Sequence, residues 1–577
     1  MTRRRRSLAR TIFKLMVLQS ALGLLAVVLI GIIIVGVVNF RNRILSNTVL
    51  VVDVRGVVAE EAPRNFFGEI TRGSVKIMSD LLEAINRAAL DSRINGLVLR
   101  VDGGKMNMAK LQELRERIHK FNQSGKFSAV FLESSTNRSY YLASACQSIT
   151  LVPNSILGIR GMMAESTFLR GTLDKLGIEA DFFHTGEYKS ASNLLTEKVY
   201  TPEHRESVKT LLRDWYGKFL LGVAEDRNLK VSRIANLVEQ APYTSQEALK
   251  VGLVDEVAYR DQFDEKIKEL NRGSEEYTSV GRYLGQTAAE GDLKVAVVYA
   301  SGTITTGESS EDPVLGMVLG SETISNQLKI AREDESLEAV ILRVDSPGGS
   351  AVASEIIRRE VELTQKEKPV VVSMSDVAAS GGYWISMGAD RIVAQPGTIT
   401  GSIGVVSGKL NIKGLYGKLG MSKDYVALTE NATIEWPFQS YTQPQRTVVR
   451  RLMQGYYESF KAGVSEGRNL SLEEVEKIAQ GRIWSGEKAL QLGLVDELGG
   501  MDVAVRWAKK LANIPEAEKV KLVRITTSKT MISELWDVLE SILVLRPRLA
   551  QETLKRVTNL IMEGPVWVFL PFLPEVR

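Results

Sequence analysis

"EAVILRVDSPGGSAVAS", residues 338–354, decides the fold. Its apolar opening, rich in aliphatic residues, is the kind of run a strand buried on both faces requires. A Pro-Gly-Gly turn follows, and a helical pattern begins beyond it. Strand, glycine turn and helix in that order form the unit of a layered α/β protein. The unit recurs 243 residues earlier as "NGLVLRVDGGKMNMAK", residues 95–110, where the Pro-Gly-Gly is missing.

Working outward, "TVLVVDVRGVV", "FSAVFLES" and "SITLVP" read as further strands, and Ser79–Ala89 and Ala109–Phe121 carry helix-spaced apolar residues. "LKVGLVDEV" (249–257) matches "LQLGLVDEL" (490–498), and Pro153 to Lys189 aligns with Pro396 to Ala432 without a gap. Two long copies are a duplicated domain rather than a solenoid. The expected organisation is a basic N-terminus over 1–14, an apolar span over 15–38, a first repeat over 47–274, a linker over 275–292, a second repeat over 293–514, and an extension over 515–577 that matches neither repeat.

Composition excludes several functions. The chain has 577 residues, 44% hydrophobic and 25% charged, with a net charge of +4. That charge comes from Arg3, Arg4, Arg5, Arg6, Arg10 and Lys14; without these six, 67 basic residues face 69 acidic ones, a net of −2. No basic field for nucleic acid remains. One cysteine, Cys146, in an apolar setting, excludes an intrachain disulfide and reads as core packing. No CxxC or HExxH spacing supports a metal, and no P-loop or GxGxxG supports a nucleotide, so no cofactor is expected.

Leu15 to Val38 runs for 24 residues without a charge, enough to span a bilayer with some tilt. Six basic residues precede it and Arg41 and Arg43 follow, a bias that favours a signal anchor with the N-terminus in the cytoplasm and the rest outside it.

The chemistry shows in what each copy has lost. "TGSIGVVS" (400–407) aligns with "LGIRGMMA" (157–164): Gly401 meets Gly158 and Gly404 meets Gly161, but Ser402 meets Ile159. Conversely, Lys189 in "GEYKSA" meets Ala432. The glycine pair of "DVAASGGYWIS" (376–386) is likewise absent from "SSTNRSYYLAS". All three histidines (His119, His184 and His204) lie in the first half, so a Ser-His-Asp triad within the second repeat is impossible. A serine needs a base, and without histidine a lysine can serve. Gly348 and Gly349, at a turn before a helix, can turn backbone amides toward an oxyanion.

"RVDSPGGS", "ASGGYW", "TGSIGVV" and "GEYKSA" together resemble the signal peptide peptidase A family, also called protease IV, in its long duplicated form. The match runs from about Val49 to Lys510. The resemblance implies tandem Clp protease/crotonase-like α/β domains behind one N-terminal transmembrane helix. It makes Ser402 the nucleophile, Lys189 the general base, and Gly348 or Gly349 with the amide of Ile403 the oxyanion hole. It further implies degradation of cleaved signal peptides and other unfolded apolar peptides. The setting implied is the extracytoplasmic (periplasmic) face of the inner (plasma) membrane, in a homo-oligomer, a tetramer by resemblance. The alternatives are a crotonase-like acyl-CoA hydrolase, which shares fold and glycines but needs no Ser-Lys pair, and a non-catalytic membrane scaffold.

The demand on Lys189 is severe. A free lysine titrates near 10.4, so at pH 7 only about one in 2,500 is neutral, a handicap of roughly 4.6 kcal/mol. Burial between two domains would disfavour the ammonium and lower that value.

Overall fold

The computed structural model describes residues 43–61, 75–102, 106–287, 291–312 and 316–526, and the backbone of Trp567–Phe569 and Glu575–Val576. The expected cytoplasmic stretch 1–14 and transmembrane segment 15–38 lie outside the described residues. Among the described residues no helix is long and apolar enough to cross a membrane.

The first repeat is built on six parallel strands. In spatial order they are Glu256–Val257, Ser148–Leu151, Phe127–Leu132, Ile94–Arg100, Thr48–Asp53 and Glu276–Ser279. The second repeats this order with Glu497–Leu498, Arg391–Ala394, Val370–Ala379, Leu337–Ser346, Leu293–Ser301 and Val520–Arg524. Parallel strands need helical crossovers that cover both faces, and every position of Val370–Ala379 is buried accordingly. The helix Met78–Leu90 buries Met78, Leu81, Leu82, Ala84, Ile85 and Ala88, the stripe its periodicity predicts. Each repeat also has one long helix, Pro202–Asp226 or Gln443–Arg468, begun by a threonine, Thr201 or Thr442, whose hydroxyl accepts from an amide of the first turn.

Two expectations change. The stretch 275–292 is not a spacer, because Glu276–Ser279 pairs with the first strand of its own repeat and Val280–Gly285 is a helix burying Tyr283. Likewise, the extension expected from 515 begins inside the second repeat, since Val520–Arg524 takes the same edge position beside Leu293–Ser301. Both segments are polar because an edge strand buries only part of its surface, so neither read as a strand.

The repeats share one body. Glu179–Thr185 pairs antiparallel with Val405–Asn411 over seven residues. Val377, Ala379, Ile399 and Ile483 of the second repeat belong to the first repeat's apolar core. Beside this seam, Arg343 is wholly buried and donates to Glu60 (3.0 Å), Glu113 (2.7 Å) and Ser373 (2.8 Å), while Lys110 donates to Asp345 at 2.6 Å. Burial alone would raise the Glu60 carboxyl, but the charges of Arg343 and Lys110 hold it down at about 2. Its folded value is below its unfolded one, so the stability it contributes is present above about pH 4.5 and is lost as pH falls toward 2. Arg343→Met strands two buried carboxylates and should cost about 3–5 kcal/mol in chemical denaturation. A loss below about 1 kcal/mol would show that the network does not hold the seam.

Candidate active site

Ser402 stands at the end of the short strand Ile399–Gly401, which pairs parallel with Val377–Ala379 on one side and antiparallel with Ile483–Ser485 on the other. Held on both sides, the strand leaves by a sharp elbow. Gly401 has φ +75° and Ser402 has φ +52°, a left-handed backbone that is uncommon for any residue with a side chain and worst for β-branched ones. The Ser402 amide donates to the carbonyl of Arg482 at 2.8 Å, and Gly481 donates to the carbonyl of Ile403 at 2.8 Å. The serine side chain has no solvent exposure.

Lys189 arrives from the first repeat. Strand Glu179–Thr185 ends at Gly186 (φ +97°), and the chain turns back so that the Lys189 amide meets the Gly186 carbonyl at 3.2 Å. This turn lies on the left-handed pair Gln480 and Gly481 of the second repeat, with Tyr188 donating to the Gln480 carbonyl at 2.8 Å. A methyl group at Gly481 would come within 2.4 Å of Lys189 Cβ, so only glycine admits the lysine here. Residues 480–482 therefore hold the serine elbow with one side and the lysine turn with the other.

Three polar atoms surround the Lys189 amine. Lys189 Nζ lies 3.1 Å from Ser402 Oγ, 3.0 Å from the Ser402 carbonyl and 2.7 Å from Ser380 Oγ. The lysine is fully buried, and desolvation pushes its pKa well below the usual lysine value. Among the described residues its hydrogen-bond partners are hydroxyls and a carbonyl, none of them a carboxylate.

Sequence reading had paired Ser402 and Lys189, and the two do meet. Ser380 was missed. It is fully buried, takes φ +58° and ψ −117° at the start of the helix Gly381–Trp384, and donates its amide to the Gly401 carbonyl at 2.8 Å. The signal lay beside the glycine pair: Gly381 packs against the backbone of Gly348 and Gly349, and Gly382 against Ser346. The strained serine between them is part of that same tight turn. The Gln480–Arg482 turn was also missed, because its neighbours are remote in sequence.

Gly348 (φ +101°) and Gly349 lie on the strand Gly348–Ser350, and the Gly348 amide donates to Ser346 Oγ at 3.2 Å. The backbone of Trp567–Phe569 pairs antiparallel with this strand, Gly348 opposite Phe569 and Gly349 opposite Val568, and Trp567 also pairs with Val406. An extended segment of the chain's own C-terminus thus bridges the glycine strand and the strand that follows Ser402.

The histidines stand apart from the serine. His119 faces Asp226 at 3.2 Å, and the exposed His184 has Nδ1 2.9 Å from the Gly186 carbonyl. His204 is buried against Tyr200, and desolvation lowers it to about 4. Cys146 is buried and its thiol pushed up to about 12, the inert packing residue expected.

A buried serine on a strained elbow, with an amine in hydrogen-bond reach and glycine turns beside it, is the arrangement of a serine hydrolase. Comparison with known proteins narrows the class. Residues 120–273 and 362–515, more than half of the chain, match Peptidase family S49, and the chain belongs to that family. It is 31% identical to "Serine protease SPPA, chloroplastic" of Arabidopsis thaliana over 519 residues, covering 86% of this chain and 75% of that protein. It is 36% identical to "Protease 4" of Haemophilus influenzae over 453 residues, covering 75% and 73%. ClpP1 from Listeria monocytogenes matches at 17% identity with a TM-score of 0.21, covering 35% of this chain and 91% of that one. The protein is a serine peptidase, and neither an acyl-CoA hydrolase nor a scaffold is the reading its relatives support.

Burying an amine has a thermodynamic consequence. The unfolded chain carries Lys189 protonated below about pH 10.4, whereas burial disfavours the ammonium in the folded chain, so folding favours release of its proton. Lys189 therefore withholds stability at neutral pH, increasingly as pH falls from the unfolded value toward the lower folded one. Lys189→Met keeps the volume and removes this cost, so its melting temperature at pH 7 should exceed that of the wild type. The difference should vanish near pH 11. A variant melting lower than wild type at pH 7 would contradict the burial argument.

Proposed function

We propose that the chain cleaves peptide bonds with Ser402 as nucleophile and Lys189 as general base, acting on cleaved signal peptides and other unfolded apolar peptides at a membrane surface. The observation that carries this reading is the 3.1 Å separation of Lys189 Nζ and Ser402 Oγ in a buried seam, where desolvation favours the neutral amine. A neutral amine has a lone pair to accept the serine proton, which an ammonium lacks.

Ser402 Oγ attacks the scissile carbonyl carbon while its proton passes to Lys189 Nζ. The carbonyl oxygen becomes an oxyanion, for which the amide of Ile403 and that of Gly348 or Gly349 are the candidate donors. Collapse of the tetrahedral intermediate breaks the C–N bond, and the departing nitrogen takes the proton from Lys189. Water then attacks the acyl-enzyme, Lys189 again accepting the proton and returning it to Ser402 as the acid product leaves. Ser380 is a positioning residue: its hydroxyl, 2.7 Å from Nζ, holds the amine in line with Ser402.

An extended substrate is favoured because the Gly348–Ser350 edge already takes an extended backbone, that of Trp567–Phe569. The apolar run Leu15–Val38 supports a single membrane anchor, with the catalytic repeats on the extracytoplasmic side of the inner membrane. Assembly into a homo-oligomer completes the reading.

Ser402→Ala and Lys189→Ala should each remove nearly all peptide hydrolysis while leaving the fold intact, since nucleophile and base act as a unit. Near wild-type turnover by Lys189→Ala would overturn the assignment. Because the lysine is the base, kcat/KM should rise with pH through an apparent value well below 10.4 and then level off. A profile flat from pH 6 to 9 with chemistry rate-limiting would count against it.

Ser380→Ala should lower kcat about tenfold with little change in KM, the effect of losing one hydrogen bond to the base. Ser380→Thr, which restores a hydroxyl, should recover part of the loss, and the pH profile of Ser380→Ala should shift. An unchanged profile with full kcat would leave Ser380 a purely structural residue.

A further inference from the structure

A cavity of about 220 Å³ lies beside the lysine turn, with Lys189 itself in its wall, and the chemistry above leaves it unused. One side is the strand Glu179–Thr185, where Phe182 faces away from its core neighbour Phe183. The chain that follows Lys189 forms the other side, with Ser192 and Asn193 at the start of the short helix Asn193–Thr196. The first turn of the long helix Pro202–Asp226 closes the end.

Two residues of this wall are almost as buried as the dyad, Ser192 at 4% exposure and Asn193 at 7%. Asn193 Nδ2 donates to Thr201 Oγ1 at 3.4 Å, which leaves Oδ1 as the free end of the amide. Among the described residues, Asn193 Oδ1 and Ser192 Oγ have no hydrogen-bond partner. Neither atom is sealed inside protein, so both look into the cavity.

The charges of the wall are of one sign. Glu187, Glu197 and Glu203 line it, and among the described residues none of them makes an ion pair. Glu203 lies in the first turn of Pro202–Asp226 and offsets the positive end of that helix, which would otherwise favour an anion. Burial disfavours the charged form of Lys189, so the lysine does not balance the carboxylates. A recess lined by one sign of charge concentrates the field inside it. Its free groups are mostly acceptors, and the side chains that only donate are the ammonium of lysine and the guanidinium of arginine. Phe182 offers apolar surface to the methylene stem that carries such a group.

Strand pairing places this recess on one side of the scissile bond. The backbone of Trp567–Phe569 runs from Trp567, opposite Val406, to Phe569, opposite Gly348. It therefore advances toward the end of the sheet where Thr185 lies opposite Val405 and the chain turns into Lys189. A peptide laid in the same direction has its acyl part along this ladder and its leaving part beyond it, over the lysine turn.

We infer that this cavity is a subsite for a basic side chain, lysine or arginine, on the leaving side of the peptide, held by Glu187, Glu197, Glu203 and Asn193. The inference rests on the proposed peptide cleavage and adds to it a charge requirement that the apolar acyl part does not carry.

The test uses the full chain in detergent and fluorogenic peptides that share one apolar acyl-side sequence. Lysine is placed in turn at each of the first three leaving-side positions and compared with norleucine, which keeps the stem and lacks the charge. At one position lysine should raise kcat/KM about tenfold, the effect of a few partly exposed ion pairs of modest strength each. Most of that preference should disappear in about 1 M salt, where the screening length falls to about 3 Å. Glu187→Gln, Glu197→Gln and Glu203→Gln combined, which keep the shape of the wall, should bring the lysine-to-norleucine ratio to near unity. In a second arm, fluorescence anisotropy follows binding of the same peptides to Ser402→Ala, which should also favour the lysine peptide. Equal rates at all three positions, or a preference that survives the glutamine substitutions, would overturn the subsite and leave the dyad standing. A binding preference in the second arm with no turnover by the wild type would sink the dyad and keep the subsite.

Discussion

The exclusion of water from one lysine amine is the constraint on which this protein depends. In the base role proposed for Lys189 an ammonium would be useless, and desolvation shifts the balance toward the neutral amine. Among the described residues the amine has no acidic partner, which would restore the charge. The amine has hydroxyls and a carbonyl as partners, which are compatible with a neutral nitrogen. The same arrangement makes the site costly to fold, and the stability must come from elsewhere.

It comes from the seam between repeats. The antiparallel ladder from Glu179 to Thr185 carries the lysine turn to its place, and the Gln480–Arg482 turn receives it. Behind them, the buried Arg343 with Glu60 and Glu113, and Lys110 with Asp345, tie the second repeat's core strand to the first repeat's residues. A shift of one residue along the ladder would reverse which face every side chain occupies. The distance between Lys189 Nζ and Ser402 Oγ is thus set by strand register rather than by local flexibility.

Duplication explains why the machinery is divided. Two copies in one chain make one internal seam, and the proposed dyad takes its serine from one side of that seam and its lysine from the other. Ile159 is fully buried where the second repeat has Ser402, filling that position with hydrocarbon. The left-handed backbone that Ser402 bears would be especially unfavourable for a β-branched residue, so loss of the hydroxyl and loss of the elbow go together.

Much of this was legible in the sequence. Apolar runs, helix-spaced stripes and their repetition established a doubled α/β body, because burial on both faces leaves a pattern any single stretch displays. Reciprocal loss across the aligned copies singled out Ser402 and Lys189. What the sequence left open was everything that depends on residues far apart in the chain. The edge strands Glu276–Ser279 and Val520–Arg524 looked like linker and tail, since half-exposed strands are polar and short. Ser380 looked like one more serine by a glycine pair until folding brought it within 2.7 Å of the lysine. The lysine's lowered pKa belongs wholly to the tertiary structure, because desolvation is a property of the surrounding atoms and not of the residue they surround.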